Sequence, residues 1–176
     1  MNSLEIHRAL TLLPNHTIGV YPSDMIPETW EKPAALVFNT DNSKKPGSHW
    51  VAIYVNEKSC GFYFDSYGIK PCIPDHIIRL RKNCKKLRHN DQQLQSLSSD
   101  VCGHFCIMFL YFMASDIGFQ NFLDLFSRDM RRNDFIVKEF VDHLVVRKIN
   151  NYRKPNVLSG RGLYSHICRA KNDFFP

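Results

Sequence analysis

Residues 102 to 115, CGHFCIMFLYFMAS, constrain the fold more than any other stretch of this 176-residue chain. The run is apolar almost all round, so a helix built from it has no face to offer water and must lie in a core covered on several sides. A chain of this length buries such a core as one domain, residues 1–176, and is too short for two comfortable ones. Apolar residues make up 44% and charged residues 23%, which is globular composition and excludes a disordered polyelectrolyte.

The remaining elements follow from periodicity and turn chemistry. Ile6, Ala9, Leu10 and Leu13 share one face of a helix over 3–13 behind a Ser3 cap. Pro14, Pro22, Pro27 and Pro33 interrupt the next stretch, which reads as irregular. Residues 34–38 read as a buried strand, and a polar loop, NTDNSKKPGS, leads to His49. HWVAIYV and GFYFD then form a hairpin across NEKSC. Short helices are expected at 75–84 and 118–126. A longer one is expected at 133–148, with Phe135, Val137, Phe140, Val141, Leu144 and Val145 as its apolar stripe. The basic remainder after it reads as loosely organised.

No apolar run approaches the roughly 20 residues that span a bilayer, and the N-terminal stretch lacks the pattern of a signal peptide. Six cysteines in this context point to reduced thiols inside a cell rather than to a disulfide scaffold, and their spacing lacks the paired ligands of a structural zinc. The net charge of +6 fits a polyanionic partner such as nucleic acid, and equally a solvated basic surface.

Two polar residues in the hairpin stand out. A turn centred near Glu57 or Lys58 places opposite each other residues whose numbers add to about 114 to 116; 49 and 65 add to 114. His49 and Asp65 are therefore expected on one face within hydrogen-bonding reach, a relation that a one-residue slip would destroy. Cys102 opens the apolar helix after Ser98, Ser99 and Asp100, which are good cap residues. A cysteine there meets the positive end of the helix dipole, which favours its thiolate. A thiolate nucleophile needs an imidazole, a group to orient it, and donors for an oxyanion. His49 and Asp65 supply the first two; Gln95, seven residues before Cys102, joins the Cys102 amide as the candidate donor pair. His104, His143 and Trp50 read as structural, Trp50 packing beside the imidazole.

Together NTDNSKKPGSHW, FDSYG and QSLSSDVCGHFC resemble the adenains, the adenovirus-type cysteine endopeptidases, and more distantly the SUMO-deconjugating proteases. Asn39-Thr40 precede His49-Trp50, and Gln95 precedes Cys102, at the intervals of that family, and Cys102 to Cys106 match its Cys-Gly-x-Phe-Cys. With IGVYPSDMIP, the resemblance covers roughly residues 4 to 165. It implies an α+β, papain-like fold in which a small mixed sheet packs on a central buried helix carrying the nucleophile. Catalysis is implied at His49, Asp65, Gln95 and Cys102, with cleavage after glycine in viral capsid or core precursors, in a virion or host nucleus. Virus-derived transposons encode similar enzymes.

Two features depart from the adenains or divide the branches. Asp65 replaces the usual glutamate, as in the SUMO proteases, whereas Asp100 stands two before the cysteine rather than directly before it, which favours the viral branch. The resemblance also implies activation by DNA and by a short viral peptide, disulfide-linked to the cysteine that Cys84 matches in spacing. An ordinary thiol at Cys84 is the competing expectation. Lys82 to Arg88, Arg128 to Arg132 and Arg147 to Lys154 are the segments to meet DNA, in a monomer without cofactor or metal. A SUMO or ubiquitin-like deconjugating protease, or a silent DNA- or capsid-binding relative, are the alternatives.

Overall fold

The computed structural model of the chain describes residues 1–13 and 15–151, with 145–151 described by backbone alone. Cys168 and the whole of the basic segment 147–154 lie outside the described side chains. In chain order the elements are α1 (Ser3–Leu10), β1 (Thr17–Tyr21), a single 3-10 turn (Ser23–Met25), β2 (Ala34–Asn39) and β3 (Trp50–Val55). Then come β4 (Cys60–Phe64), α2 (Pro74–Asn83), β5 (Lys86–His89), α3 (Cys102–Ala114), α4 (Phe119–Leu123) and α5 (Met130–Asn151).

The five strands form one mixed sheet in sequential order. The outer pairs β1–β2 and β4–β5 are parallel, and the inner pairs β2–β3 and β3–β4 antiparallel. Strand alternation sorts the side chains of the inner strands into two layers. Ala35, Val37, Ala52, Tyr54 and Phe64 join the larger cluster with α1, α3, α4 and α5. Ala34, Leu36, Phe38, Val51, Ile53, Val55 and Tyr63 join a second cluster with Ile26, Trp30 and Leu80 of α2. Both sheet faces are thus covered, which is why β2 is buried along its whole length.

As its composition requires, α3 occupies the middle of the larger layer, with every residue from Phe105 to Leu110 buried. It meets β2 and β3 on the sheet side and α1, α4 and α5 elsewhere. Phe64 sits at the centre of this contact, stacked on Phe109 at 4.9 Å and edge-on to Phe122 at 5.3 Å.

Several expectations change in detail. Helix α1 ends at Leu10, and its cap is Asn2, not Ser3: Asn2 and Glu5 exchange side-chain and backbone hydrogen bonds as a capping box. Strand β1 occupies part of the stretch read as irregular; its proline-bounded five residues include Gly19, so propensity alone misses it. Strand β5, KLRH, is exposed throughout and charged, as edge strands are, and carries no apolar alternation to announce it. Phe135 is 63% exposed and leaves the α5 stripe, whereas Val137, Phe140, Val141 and Leu144 are buried in it; Val145 lies outside the described side chains. Among the described residues no helix is long and apolar enough to cross a membrane.

Truncating Phe64 removes a fully buried ring that ties the sheet to α3. Phe64→Ala is expected to cost about 3–5 kcal/mol in denaturant unfolding. A loss under about 1 kcal/mol would mean that α3 is not anchored through this residue.

Candidate active site

His49 stands at the end of a loop that closes on itself. Asn39, the last residue of β2, pairs with Trp50, the first of β3. Its Oδ1 accepts from the amides of Asp41 at 2.9 Å and Ser48 at 3.4 Å, while the Thr40 amide donates to the His49 carbonyl at 2.9 Å. Ser43 at the loop tip donates through its amide and hydroxyl to Asp24, at 2.8 and 2.7 Å. Nine loop residues thereby hold His49 at one fixed exit.

The β3–β4 register pairs Ala52 with Phe64, so opposite residues add to 116, the upper end of the expected range. His49 and Asp65 are therefore diagonal rather than directly opposite neighbours. An even offset keeps them on one side, and the imidazole spans the gap: His49 Nε2 lies 2.9 Å from Asp65 Oδ1. Asp65 is buried, and its backbone amide and carbonyl are both held by the Asn90 side chain, at 3.0 and 2.7 Å. The Tyr67 ring stacks on the His49 ring, with centroids 4.8 Å apart.

Cys102 is the first residue of α3. The expected side-chain cap is absent: the cap position is Val101, and neither Ser98, Ser99 nor Asp100 caps the helix. Gly103 allows a close approach here, because an added Cβ would stand 3.2 Å from both Ile6 and Met1. The Cys102 sulfur lies close enough to the His49 ring and to the backbone amides of Trp50 and Gly103 for each of them to favour its charged form. Since Nε2 is engaged by Asp65, Nδ1 is the ring nitrogen left for the thiol.

Burial is the largest influence on both groups and opposes charge on each. The hydrogen bonds outweigh it. For Cys102, His49 and the two amides hold the thiol below its usual range. For His49, contacts with Asp65 and then Cys102 push the imidazole up to about 9. Both shifts act toward thiolate beside imidazolium, the state in which the sulfur is nucleophilic and the ring carries a proton to give.

Gln95 is fully buried and fixed at both ends of its amide: Oε1 accepts from Ser66 Oγ at 2.7 Å and Nε2 donates to the Ser99 carbonyl at 2.9 Å. An amide nitrogen carries two protons, so one remains for an incoming group. Its loop is held by α5, where Asn133 Nδ2 donates to the Leu94 carbonyl at 3.0 Å and Asp134 accepts from the Ser96 amide at 3.3 Å.

Cys84 caps α2, packs against Gly61 of β4, and contacts the second cluster, on the sheet face opposite α3. Burial pushes its thiol up to about 11, which lowers the thiolate fraction that disulfide exchange needs. In the basic segments, Lys82 pairs with Glu28, and the Arg88 guanidinium lies 5.7 Å from the Phe119 ring centroid. Trp50 is half-buried and donates from its indole to the Met1 carbonyl at 3.2 Å. No group of three or more metal-ligating side chains gathers among the described residues. Sequence reasoning had assigned nothing to Ser66, Tyr67 or Asn90. The first two lie inside the quoted FDSYG, and Asn90 carried no signal beyond being polar.

No family model matches the chain. It is 27% identical over 96 residues to the protease of Bovine adenovirus C serotype 10, covering 47% of this chain and 49% of that one. The match thus spans about half the length of the curated relative. Among solved structures, the ASFV pS273R protease superposes with a TM-score of 0.45 at 23% identity, covering 63% of this chain and 43% of that one. The central domain of the uncharacterized Lpg1148 protein from Legionella pneumophila gives 0.49 at 14% identity, covering 82% and 97%.

The electrostatics make a direct prediction. In Asp65→Asn the first contact that raises the imidazole becomes neutral, so the NMR titration midpoint of His49 is expected to fall from about 9 toward 6.5. Iodoacetamide should modify Cys102 selectively well below pH 8.5, the ordinary thiol value. His49→Ala should move that alkylation midpoint upward. An unmoved His49 midpoint, or uniform modification of the cysteines, would contradict the ion pair.

Proposed function

We propose that this chain is a cysteine endopeptidase of the adenovirus type, and that Cys102, His49, Asp65 and Gln95 carry its chemistry. The observation that carries the proposal is an imidazole that a buried carboxylate holds at 2.9 Å, beside a thiol at the start of a buried helix whose ionisation it favours. Similarity to an adenovirus protease over half the chain supports the same assignment.

In this mechanism the Cys102 thiolate attacks the carbonyl carbon of the scissile peptide. Negative charge builds on the carbonyl oxygen, where the Cys102 amide and the free Nε2 proton of Gln95 receive it. The His49 imidazolium gives its proton to the departing amine as the C–N bond breaks, leaving a thioester on Cys102. The neutral imidazole then takes a proton from water, whose oxygen attacks the thioester and frees the acid. Asp65 keeps the ring oriented and favours its charged form throughout.

Cleavage after glycine in capsid or core precursors is the substrate reading carried by the family resemblance, with a virion or host nucleus as its setting. DNA bound on the basic surface, and a short peptide, are its proposed activators. Deconjugation of SUMO or ubiquitin-like proteins is the second reading, supported by an aspartate as the third member. A silent binding relative is disfavoured, because a chain without chemistry gains nothing from burying a charged pair against its desolvation cost.

The discriminating experiment sets short glycine-containing peptides beside a ubiquitin-like protein with a C-terminal electrophile. Peptide hydrolysis is expected, reduced at least about 10⁴-fold in Cys102→Ala, with no labelling by the electrophile. Rapid labelling without peptide cleavage would favour the deconjugating reading. Neither reaction, with DNA and peptide activator present, would leave a silent relative.

A further inference from the structure

We infer that Ser66 is a positioning residue for the oxyanion donor, holding the Gln95 side-chain amide so that its nitrogen faces the segment entering Cys102. The inference rests on the peptidase reading for its chemistry and on contacts of this structure for its geometry. Ser66 is 1% and Gln95 0% exposed, so neither side chain has water as a ready substitute partner.

The sense of the amide follows from its partners. A backbone carbonyl only accepts, so the atom 2.9 Å from the Ser99 carbonyl is the nitrogen, and the oxygen faces Ser66. The Ser66 hydroxyl donates to that oxygen at 2.7 Å. Without it, Gln95 Oε1 would be a buried acceptor lacking its partner, and rotation of the amide to regain one would withdraw the nitrogen from its place. The Ser66 carbonyl also accepts from the amides of Leu94 at 2.8 Å and Gln95 at 3.0 Å. One residue therefore places both the backbone and the side chain of Gln95.

Ser66 also follows Asp65 directly, so the groups that orient the base and the oxyanion donor lie on adjacent residues of one turn. A shift of that turn moves both together. A change confined to the Ser66 hydroxyl separates them, because it leaves the backbone contacts and Asp65 in place.

The test uses the full chain as wild type, Ser66→Ala, Gln95→Ala and the double variant, with three readouts. Alkylation of Cys102 by iodoacetamide forms no oxyanion and reports the thiolate and imidazolium alone. Hydrolysis of a glycine-containing peptide needs the oxyanion donor. Hydrogen exchange of the ¹⁵N-labelled Gln95 side chain reports its amide directly. Ser66→Ala is expected to lower kcat about tenfold, the size of one lost buried hydrogen bond, with KM and alkylation unchanged and Gln95 exchange faster. Gln95→Ala is expected to lose about 10²-fold, and the double variant no more than that.

Independent, multiplying losses would overturn the inference, as would alkylation falling in parallel with kcat, since either places Ser66 outside a path through Gln95. Unchanged Gln95 exchange in Ser66→Ala would overturn it whatever the activity. If wild type cleaves no peptide while Gln95 exchange responds to Ser66→Ala, the peptidase reading fails and the positioning contact stands.

Discussion

Oδ1 of Asp65 accepts two hydrogen bonds at once, from the Tyr67 amide at 2.8 Å and from His49 Nε2 at 2.9 Å. The first belongs to a turn: the Gly68 amide donates to the Asp65 carbonyl at 2.8 Å, and an aspartate at the first position of such a turn commonly folds its side chain over the backbone in this way. The second orients a charged ring. Ordinary hairpin decoration and functional placement are thus the same atom, and the turn supplies the rigidity the imidazole requires. Gly68, at φ +72° and with an added Cβ 2.7 Å from the Gln92 backbone, completes a turn that few other residues could close.

From that turn the constraint spreads in both directions. Upstream, Phe64 locks β4 onto α3, so the sheet and the helix that carry the imidazole and the thiol cannot slide relative to each other without opening an aromatic core. Downstream, Asn90 bonds the two backbone groups of Asp65 that β5, ending at His89, no longer reaches. An imidazole raised from 6.5 to about 9 represents about 3 kcal/mol of preference for its charged form. That is a large share of the stability of a typical domain. Such a preference survives burial only because the carboxylate, the ring and the sulfur are each held by backbone amides or a neighbouring side chain rather than by mobile contacts.

The central helix was legible in the sequence because an all-round apolar run has one physical outcome. His49 and Asp65 were legible for a different reason: the hairpin period makes same-face neighbours predictable to within two residues, and an even error of register leaves the face unchanged, while Cys102 was marked by its place at the start of the apolar helix. The two outer strands were hidden, β1 by brevity and prolines, β5 because an exposed edge strand is selected for charge rather than for alternation. Phe135 falls within the apolar stripe by helical spacing yet faces solvent, since the stripe is wider than the core it meets. Gln95 could be placed only through its interval from Cys102. The residues that hold it, Ser66, Asn133 and Asp134, come from segments far apart in sequence, and no local pattern announces such a convergence.

The missing cap of α3 fits the same economy of amides. Ser98, Ser99 and Asp100 are residues that would normally accept from the first-turn amides, and an unfilled cap costs a helix about 1 kcal/mol. Here the serine hydroxyls turn back into their own loop: Ser99 Oγ donates to the Ser96 carbonyl at 3.1 Å, and Ser98 Oγ lies 3.0 Å from Ser96 Oγ. Val101, which has no acceptor in its side chain, takes the cap position. One first-turn amide, that of Gly103, is among the groups that favour the charged form of the Cys102 sulfur. A capping oxygen in this place would compete for the donors that stabilise the thiolate and would set a negative or partly negative atom beside it. The helix gives up capping energy, the apolar burial of residues 105 to 110 holds it in place instead, and the positive end of its dipole is left for the sulfur and for charge that develops next to it.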